Sequence, residues 1–109
     1  DGTGDDAYLS TLEAHLPRVL DEFGPDVVLY QAGVDPHAND KLGRLALSDE
    51  GLQRRDSYVV SEARRRGLPI ASALGGGYGT EPRLVAERHA RSMIAMAQEN
   101  AHYGDASQK

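Results

Sequence analysis

The sequence predicts an α/β fold, specifically the C-terminal β-α-β portion of an open, mainly parallel sheet flanked by helices. Two short apolar runs, at positions 27–32 and 69–74, alternate with segments of helical periodicity. Strands that alternate with helices are typical of parallel sheets. Two strands are too few for a free-standing sheet. The 109 residues are therefore predicted to be the end of a larger α/β domain.

The first element is predicted to be a helix that approaches Phe23, with Asp5 or Asp6 as its N-terminal cap. Pro17 is predicted to kink this helix or to split it after His15, because proline removes a backbone donor. Its apolar stripe consists of Leu9, Leu12, Leu16, Val19, Leu20 and Phe23. Gly24-Pro25 is predicted to end the helix.

The next elements are a strand, a loop and a second helix. Residues 27–32 form an apolar, β-rich run, which predicts a strand buried on both faces. Positions 33–47 have no clean period and are predicted to form a long loop. Ser48 is predicted to start the second helix, and Gly67 to stop it. The helix is marked by Leu52, Asp56, Val59, Val60 and Ala63.

A second strand at 69–74 leads into the glycine run 75–77 and a third helix. Thr80 is predicted to cap this helix, with Glu81 and Pro82 in its first turn. Its apolar side is predicted to include Leu84, Val85, Ile94 and Met96. The predicted domain covers residues 1–103, and residues 104–109 are predicted to form a polar tail.

Composition narrows the possible functions. The chain has no cysteine, which excludes disulfides, thiolate metal sites and a cysteine nucleophile. The net charge is -5, so no electrostatic footprint for nucleic acid is expected. No apolar run approaches the length of a membrane span, and no signal-peptide pattern is present. A cytoplasmic location is the expectation, and the chain, which starts without Met, is expected to begin within a longer protein.

Ligands of open α/β sheets bind beyond the carboxyl ends of the strands, which directs attention to Asp35 and to Tyr78. Asp35 follows the first strand, either as a metal ligand or as a turn residue that caps backbone amides. Together with His37 and Asp40 it could also form a local metal site, although short loops often contain these residues. His15, His89 and His102 lie on predicted helices and are expected at or near the surface.

The glycine run before Tyr78 has two possible uses. It can bind phosphate, although it lacks the G-x-G-x-x-G spacing and no Lys-Ser/Thr pair follows it. Alternatively, its glycines supply a positive φ and a close approach of backbone to a ligand, and they display Tyr78 at the sheet edge. Tyr78 could also simply pack against the next helix.

Several motifs together resemble the histone deacetylase family, in its bacterial and class IV branch. They are VVLYQAGVDPHANDKLGRLAL at 27–47, Ser48 ahead of Gly51-Leu52, LGGGY at 74–78, and DDAYL at 5–9. The resemblance extends to about His102. It implies that Asp35 is a zinc ligand, that Tyr78 is the catalytic tyrosine, and that Gly76 and Gly77 line the substrate channel. It also implies that His37 is not a ligand, because the family's Asp-x-His motif belongs to an earlier strand.

The resemblance further implies a zinc-dependent deacetylase whose substrate is acetyl-lysine or a small acetylated amine. The remaining zinc ligands and the tandem-histidine pair would lie outside this chain, which is therefore expected to be inactive alone. Two alternatives are a truncated or degenerate homologue that acts as a non-catalytic binding module, and a nucleotide-binding module built on the glycine loop. The second alternative predicts phosphate affinity and no metal role for Asp35.

Overall fold

The computed structural model describes residues 2–40, 43, 45–77, 79 and 81–107, with side chains up to residue 103. The elements are α1 (Asp5–Phe23), β1 (Val28–Gly33), α2 (Asp49–Arg65), β2 (Ile70–Gly75) and α3 (Pro82–Ser107). The two strands pair in parallel, with Val28 opposite Ile70 and Gly33 opposite Gly75. The predicted α/β class, the order of elements and the parallel pairing are confirmed.

Helix α1 is one continuous helix, so the predicted split at Pro17 is wrong. Leu9 and Leu20, on either side of Pro17, are buried while α1 packs along α2, and this packing compensates for the missing backbone bond. Gly4 occupies the N-cap, and Asp5 lies in the first turn instead of capping the helix. The predicted end is confirmed, since Gly24 adopts a left-handed conformation and its N–H bonds to Leu20 O at 3.1 Å.

Polar contacts join α1 to α2 at both ends. Ser48 caps α2, as predicted, because its Oγ accepts from Gly51 N at 3.0 Å. The Ser48 N–H donates to Asp5 Oδ1 at 2.8 Å, and its hydroxyl donates to Asp5 Oδ2. A Cβ at Gly51 would lie 2.0 Å from Asp5 Oδ1, so this contact requires glycine there. At the other end, Arg66 Nε donates to Asp21 Oδ1 at 2.7 Å.

One face of the sheet is covered by helices and the other is open. Val60 of α2 and Met96 of α3 pack with Ala32 of β1. On the opposite face Leu29 is 80% exposed, so the prediction of a strand buried on both faces is wrong. The physical reason is that the described helices pack against a single face of the sheet. A strand is buried on both faces only where a second layer of helices covers the other face.

Helix α3 packs with polar as well as apolar residues, and the prediction for its apolar side is confirmed in part, since Met96 is buried and Val85 packs against a core cluster. Arg88, Ser92 and Met96 are each at most 8% exposed and recur every four residues, which places them on one face. By contrast, Leu84 and Ile94 are 45% and 56% exposed, so their predicted place on the packed side is wrong. The helix extends to Ser107, into the segment predicted to be a polar tail, while Thr80 lies outside the described residues.

None of the described helices combines the length and apolar character needed to cross a bilayer. His15 and His102 are exposed and His89 is half-buried, as predicted for histidines on helices.

The contact between Asp5 and Ser48 should make stability depend on pH. Donors from the Ser48 side chain and backbone hold the pKa of Asp5 below its ordinary value of 3.8. A depressed carboxyl pKa contributes stability that is present above pH 3.8 and is lost as the pH falls below it. We expect Asp5→Asn to lower the free energy of unfolding by about 1 kcal/mol at pH 7, as measured by urea titration.

The difference between Asp5→Asn and the parent should shrink as the pH falls below 3.8 and through the lowered pKa of Asp5, because the parent carboxylate then becomes protonated and neutral like the amide. Asp6→Asn is the matched control, because Asp6 shares the first turn of α1 but is exposed and makes no contact with Ser48. Equal losses of stability in the two variants would show that the effect comes from the helix dipole, which acts on both carboxylates. The hydrogen bonds between Asp5 and Ser48 would then not be its cause.

The open face of the sheet should cause the 109-residue chain to self-associate when it is produced alone, because exposed apolar strands pair with other chains. Leu29→Lys should shift sedimentation-velocity profiles towards monomer. Phe23→Lys is the control, since Phe23 is 79% exposed but lies at the end of α1 and not on a strand. A monodisperse monomer that melts cooperatively would contradict this expectation.

Candidate active site

The carboxyl ends of β1 and β2 meet at one edge of the sheet, with Gly33 opposite Gly75. Val34 N donates to Gly75 O at 3.1 Å, which extends the pairing by one bond. Val34 is 1% exposed, whereas the next residue, Asp35, is exposed. Asp35 is therefore the first residue beyond the ladder, at the edge where open α/β sheets bind ligands.

The Asp35 side chain lies against the backbone of Gly33, at the end of β1, and of Gly76, directly after β2. A Cβ built on Gly33 would lie 2.6 Å from Asp35 Oδ1, and one built on Gly76 would lie 2.7 Å from the same oxygen. A Cβ on Gly43 would lie 1.9 Å from the Asp35 carbonyl oxygen. Glycine at these three positions thus makes room for Asp35, because the side chain of any larger residue there would overlap with Asp35 atoms.

No hydrogen bond or ion pair to the Asp35 carboxylate exists among the residues that the structure describes. Among the described residues, no backbone amide donates to the Asp35 side chain, as the alternative of a capping turn residue would require. The Asp35 carboxylate is thus exposed and has no partner within the part of the chain that the structure describes.

Gly76 and Gly77 have φ values of 65° and 101°, which favour glycine. A Cβ on Gly77 would also lie 2.6 Å from Val85 Cγ1 and 3.2 Å from His89 Nε2. The positive φ that the conformational use of the glycine run requires is thus present. Tyr78, the predicted catalytic residue, lies outside the described residues.

His37 is buried and connects the loop after β1 to the start of α2. It is 7% exposed, its Nδ1 accepts from Asn39 N at 3.0 Å, and its Nε2 lies 3.0 Å from Asp49 Oδ1. Both ring nitrogens are therefore engaged with other residues of this chain. Asp40 Oδ2 accepts from Gly43 N at 2.7 Å. The described residues contain no group of three potential metal ligands, so a self-contained site of Asp35, His37 and Asp40 is not formed.

Asp49, in the first turn of α2, connects the Asp35 loop to α3. Besides His37, its carboxylate has Arg88 Nε and Arg91 Nη1 each at 3.6 Å. Arg88 is 8% exposed, so one of these cations is largely removed from water. The loop is also joined to the start of α2 by backbone bonds from Ala38 N to Leu47 O and from Leu47 N to Pro36 O, both 2.9 Å.

A buried polar cluster lies beside the end of β1. Arg55 Nε donates to Asp56 Oδ1 at 2.9 Å, and the Tyr30 hydroxyl donates to the same oxygen. Arg55 Nη1 donates to Gly33 O at 2.6 Å, and the guanidinium lies 5.7 Å from the centre of the Tyr30 ring. Burial raises the pKa of Tyr30, and the charge of Arg55 offsets only part of that rise. The phenol is therefore a permanent donor at physiological pH.

Sequence reasoning assigned no site role to Arg55, Tyr30 or Asp49. One signal was present, because Asp56 falls between Leu52 and Val59 at helical spacing, and a charge on an apolar stripe implies a buried partner. Nothing in the local pattern identifies that partner as Arg55 or connects it to Gly33. Arg55 is adjacent to Asp56 in sequence, whereas the bonds from Arg55 to Gly33 and from Tyr30 to Asp56 join segments that are distant in sequence.

Comparisons with known proteins place these features in a family. A model of the histone deacetylase domain matches residues 1–97. An uncharacterized protein of Picosynechococcus sp. is 43% identical over 82% of this chain and 30% of its own length. Histone deacetylase 2 of Arabidopsis thaliana is 36% identical over 79% of the chain and 22% of its own length.

A probable deacetylase of Methanothermobacter thermautotrophicus is 35% identical over 73% of the chain and 23% of its own length. This chain thus spans less than a third of the relatives that it matches. Because the domain model covers nearly the whole chain and the relatives agree, the chain belongs to the histone deacetylase family.

Proposed function

We propose that this chain is part of a zinc-dependent deacetylase that hydrolyses an N-acetyl amide, either acetyl-lysine or a small acetylated amine. Family membership supports the reaction class. The observation that carries the metal assignment is the Asp35 carboxylate. It is exposed at the carboxyl edge of the sheet, lies in a space left by three glycines, and has no partner among the described residues.

Asp35 suits zinc, which binds carboxylate oxygen together with imidazole nitrogen. The described residues contribute no further ligand beside it. We propose that the other ligands come from outside the described residues, and we expect no deacetylase activity from the 109-residue chain alone. When bound, zinc would supply Lewis acidity to the acetyl carbonyl and would lower the pKa of a bound water molecule.

Tyr78 is proposed as the donor to the oxygen that becomes negative in the tetrahedral state. A phenol is a neutral donor at pH 7, so it can stabilise a developing oxyanion without first losing its own proton. Gly76 and Gly77 are proposed to line the substrate channel. Their positive φ values and missing side chains support a close approach of substrate to backbone.

Asp35→Asn should weaken zinc binding in the full-length protein, because a neutral amide replaces an anionic ligand. We expect substoichiometric zinc after dialysis, as measured by atomic emission spectrometry. Asp26→Asn is the matched control, since Asp26 is exposed and lies before the opposite end of β1. Unchanged zinc content in Asp35→Asn would reject the ligand assignment.

Tyr78→Phe should reduce kcat of the full-length enzyme by about 10²–10³-fold, with little change in KM, because one oxyanion donor is lost. Steady-state kinetics on an acetyl-lysine peptide would measure this. Tyr103→Phe, which removes a hydroxyl 2.9 Å from Ser61 Oγ on α2, controls for loss of a phenol elsewhere. Comparable kcat values in Tyr78→Phe and the parent would rule out a catalytic hydroxyl.

A further inference from the structure

We infer that Arg55 is a positioning residue for Asp35, acting through the peptide bond between Gly33 and Val34. This inference rests on the proposed metal role of Asp35. It goes further by assigning a task to a buried helix residue that contacts neither metal nor substrate.

The peptide between Gly33 and Val34 is held from both sides. Its N–H, on Val34, donates to Gly75 O at 3.1 Å, and its carbonyl, on Gly33, accepts from Arg55 Nη1 at 2.6 Å. A trans peptide directs its N–H and C=O in opposite directions, so the carbonyl faces away from β2 and cannot be satisfied by that strand. Arg55 supplies the missing bond, and Asp35 begins one residue later.

The guanidinium itself has little freedom. Arg55 is 4% exposed and Asp56 is completely buried. Arg55 Nε and Nη2 lie 2.9 Å and 2.8 Å from Asp56 Oδ1, which leaves Nη1 directed at Gly33. Tyr30, on β1 itself, donates to the same Asp56 oxygen. The cluster therefore joins the middle of β1, its last carbonyl and helix α2 in one hydrogen-bonded unit.

A purely stabilising role explains this cluster poorly. Desolvation largely cancels the attraction within a buried ion pair, and apolar residues of similar volume are often equally stable in its place. Apolar contacts already anchor the neighbouring residues, since Ala32 packs with Val60 and Val34 packs with Leu52. What arginine adds is direction, because a planar fork fixes the carbonyl that it binds. Residues that orient metal ligands typically change metal affinity when they are replaced.

The test uses Arg55→Gln in the full-length protein, with Arg54→Gln as the matched control. Arg54 is adjacent on α2 but exposed. Zinc affinity is measured by competition with a chromogenic chelator, and exchange of the Val34 amide is followed by NMR in the metal-free protein. We expect Arg55→Gln to weaken zinc binding by about 10–100-fold and to accelerate Val34 exchange relative to other amides of β1. Arg54→Gln should change neither quantity.

Leu20→Ala separates positioning from general loss of stability, because Leu20 is buried on α1 and belongs to neither core cluster beside the strand end. This variant should lower the unfolding midpoint while leaving zinc affinity unchanged. Arg55→Lys keeps the charge but offers a single ammonium group, so an intermediate affinity is expected. It also serves as the test variant if Arg55→Gln does not fold.

The inference would be overturned if Arg55→Gln matched the parent in both zinc affinity and Val34 exchange. It would also be overturned if Leu20→Ala lost as much zinc affinity as Arg55→Gln. Failure of the proposed function has a different signature. In that case Asp35→Asn would bind zinc as the parent does, while Val34 exchange would still report whether Arg55 holds the strand end.

Discussion

The parallel pairing of β1 with β2 is the interaction on which the remaining structure depends. Parallel strands cannot be joined by a tight turn, so the chain must cross from the end of one to the start of the other. Helix α2 makes that crossing, and it covers one face of the sheet with α3. The same pairing sets Gly33 beside Gly75, and thereby brings Asp35 and Gly76 to a common edge.

Close approach at that edge is possible because side chains are missing there. The Asp35 carboxylate occupies volume that a Cβ on Gly33 or Gly76 would fill, and Gly43 backbone lies against the Asp35 carbonyl. Glycine normally lowers stability through its conformational freedom. The loop compensates with polar contacts, in which Asp49 lies near His37 and two arginines of α3. The loop that carries Asp35 is thus fixed by contacts with α2 and α3.

Much of the buried material around this edge is polar. Arg55, Asp56 and His37 are all under 9% exposed, and each has partners from another segment of the chain. Buried polar groups of this kind contribute little net stability, but their bonds specify direction. Such an interior suits a chain whose task is to hold one carboxylate at a defined position, as the proposed function requires.

Local pattern alone was sufficient for the fold class, the order of elements, the cap at Ser48 and the place of Asp35 after a strand. These features depend on periodicity, capping and turn chemistry, which act over a few residues. Family resemblance, and not spacing, carried the assignments of Asp35 and Tyr78. Tertiary structure alone decided that α1 continues through Pro17, that Leu29 is exposed, and that Arg88 and Ser92 are buried while Ile94 is not. It alone directed Arg55 at the Gly33 carbonyl, because burial and long-range hydrogen bonds depend on which elements pack together, and a single segment does not contain that information.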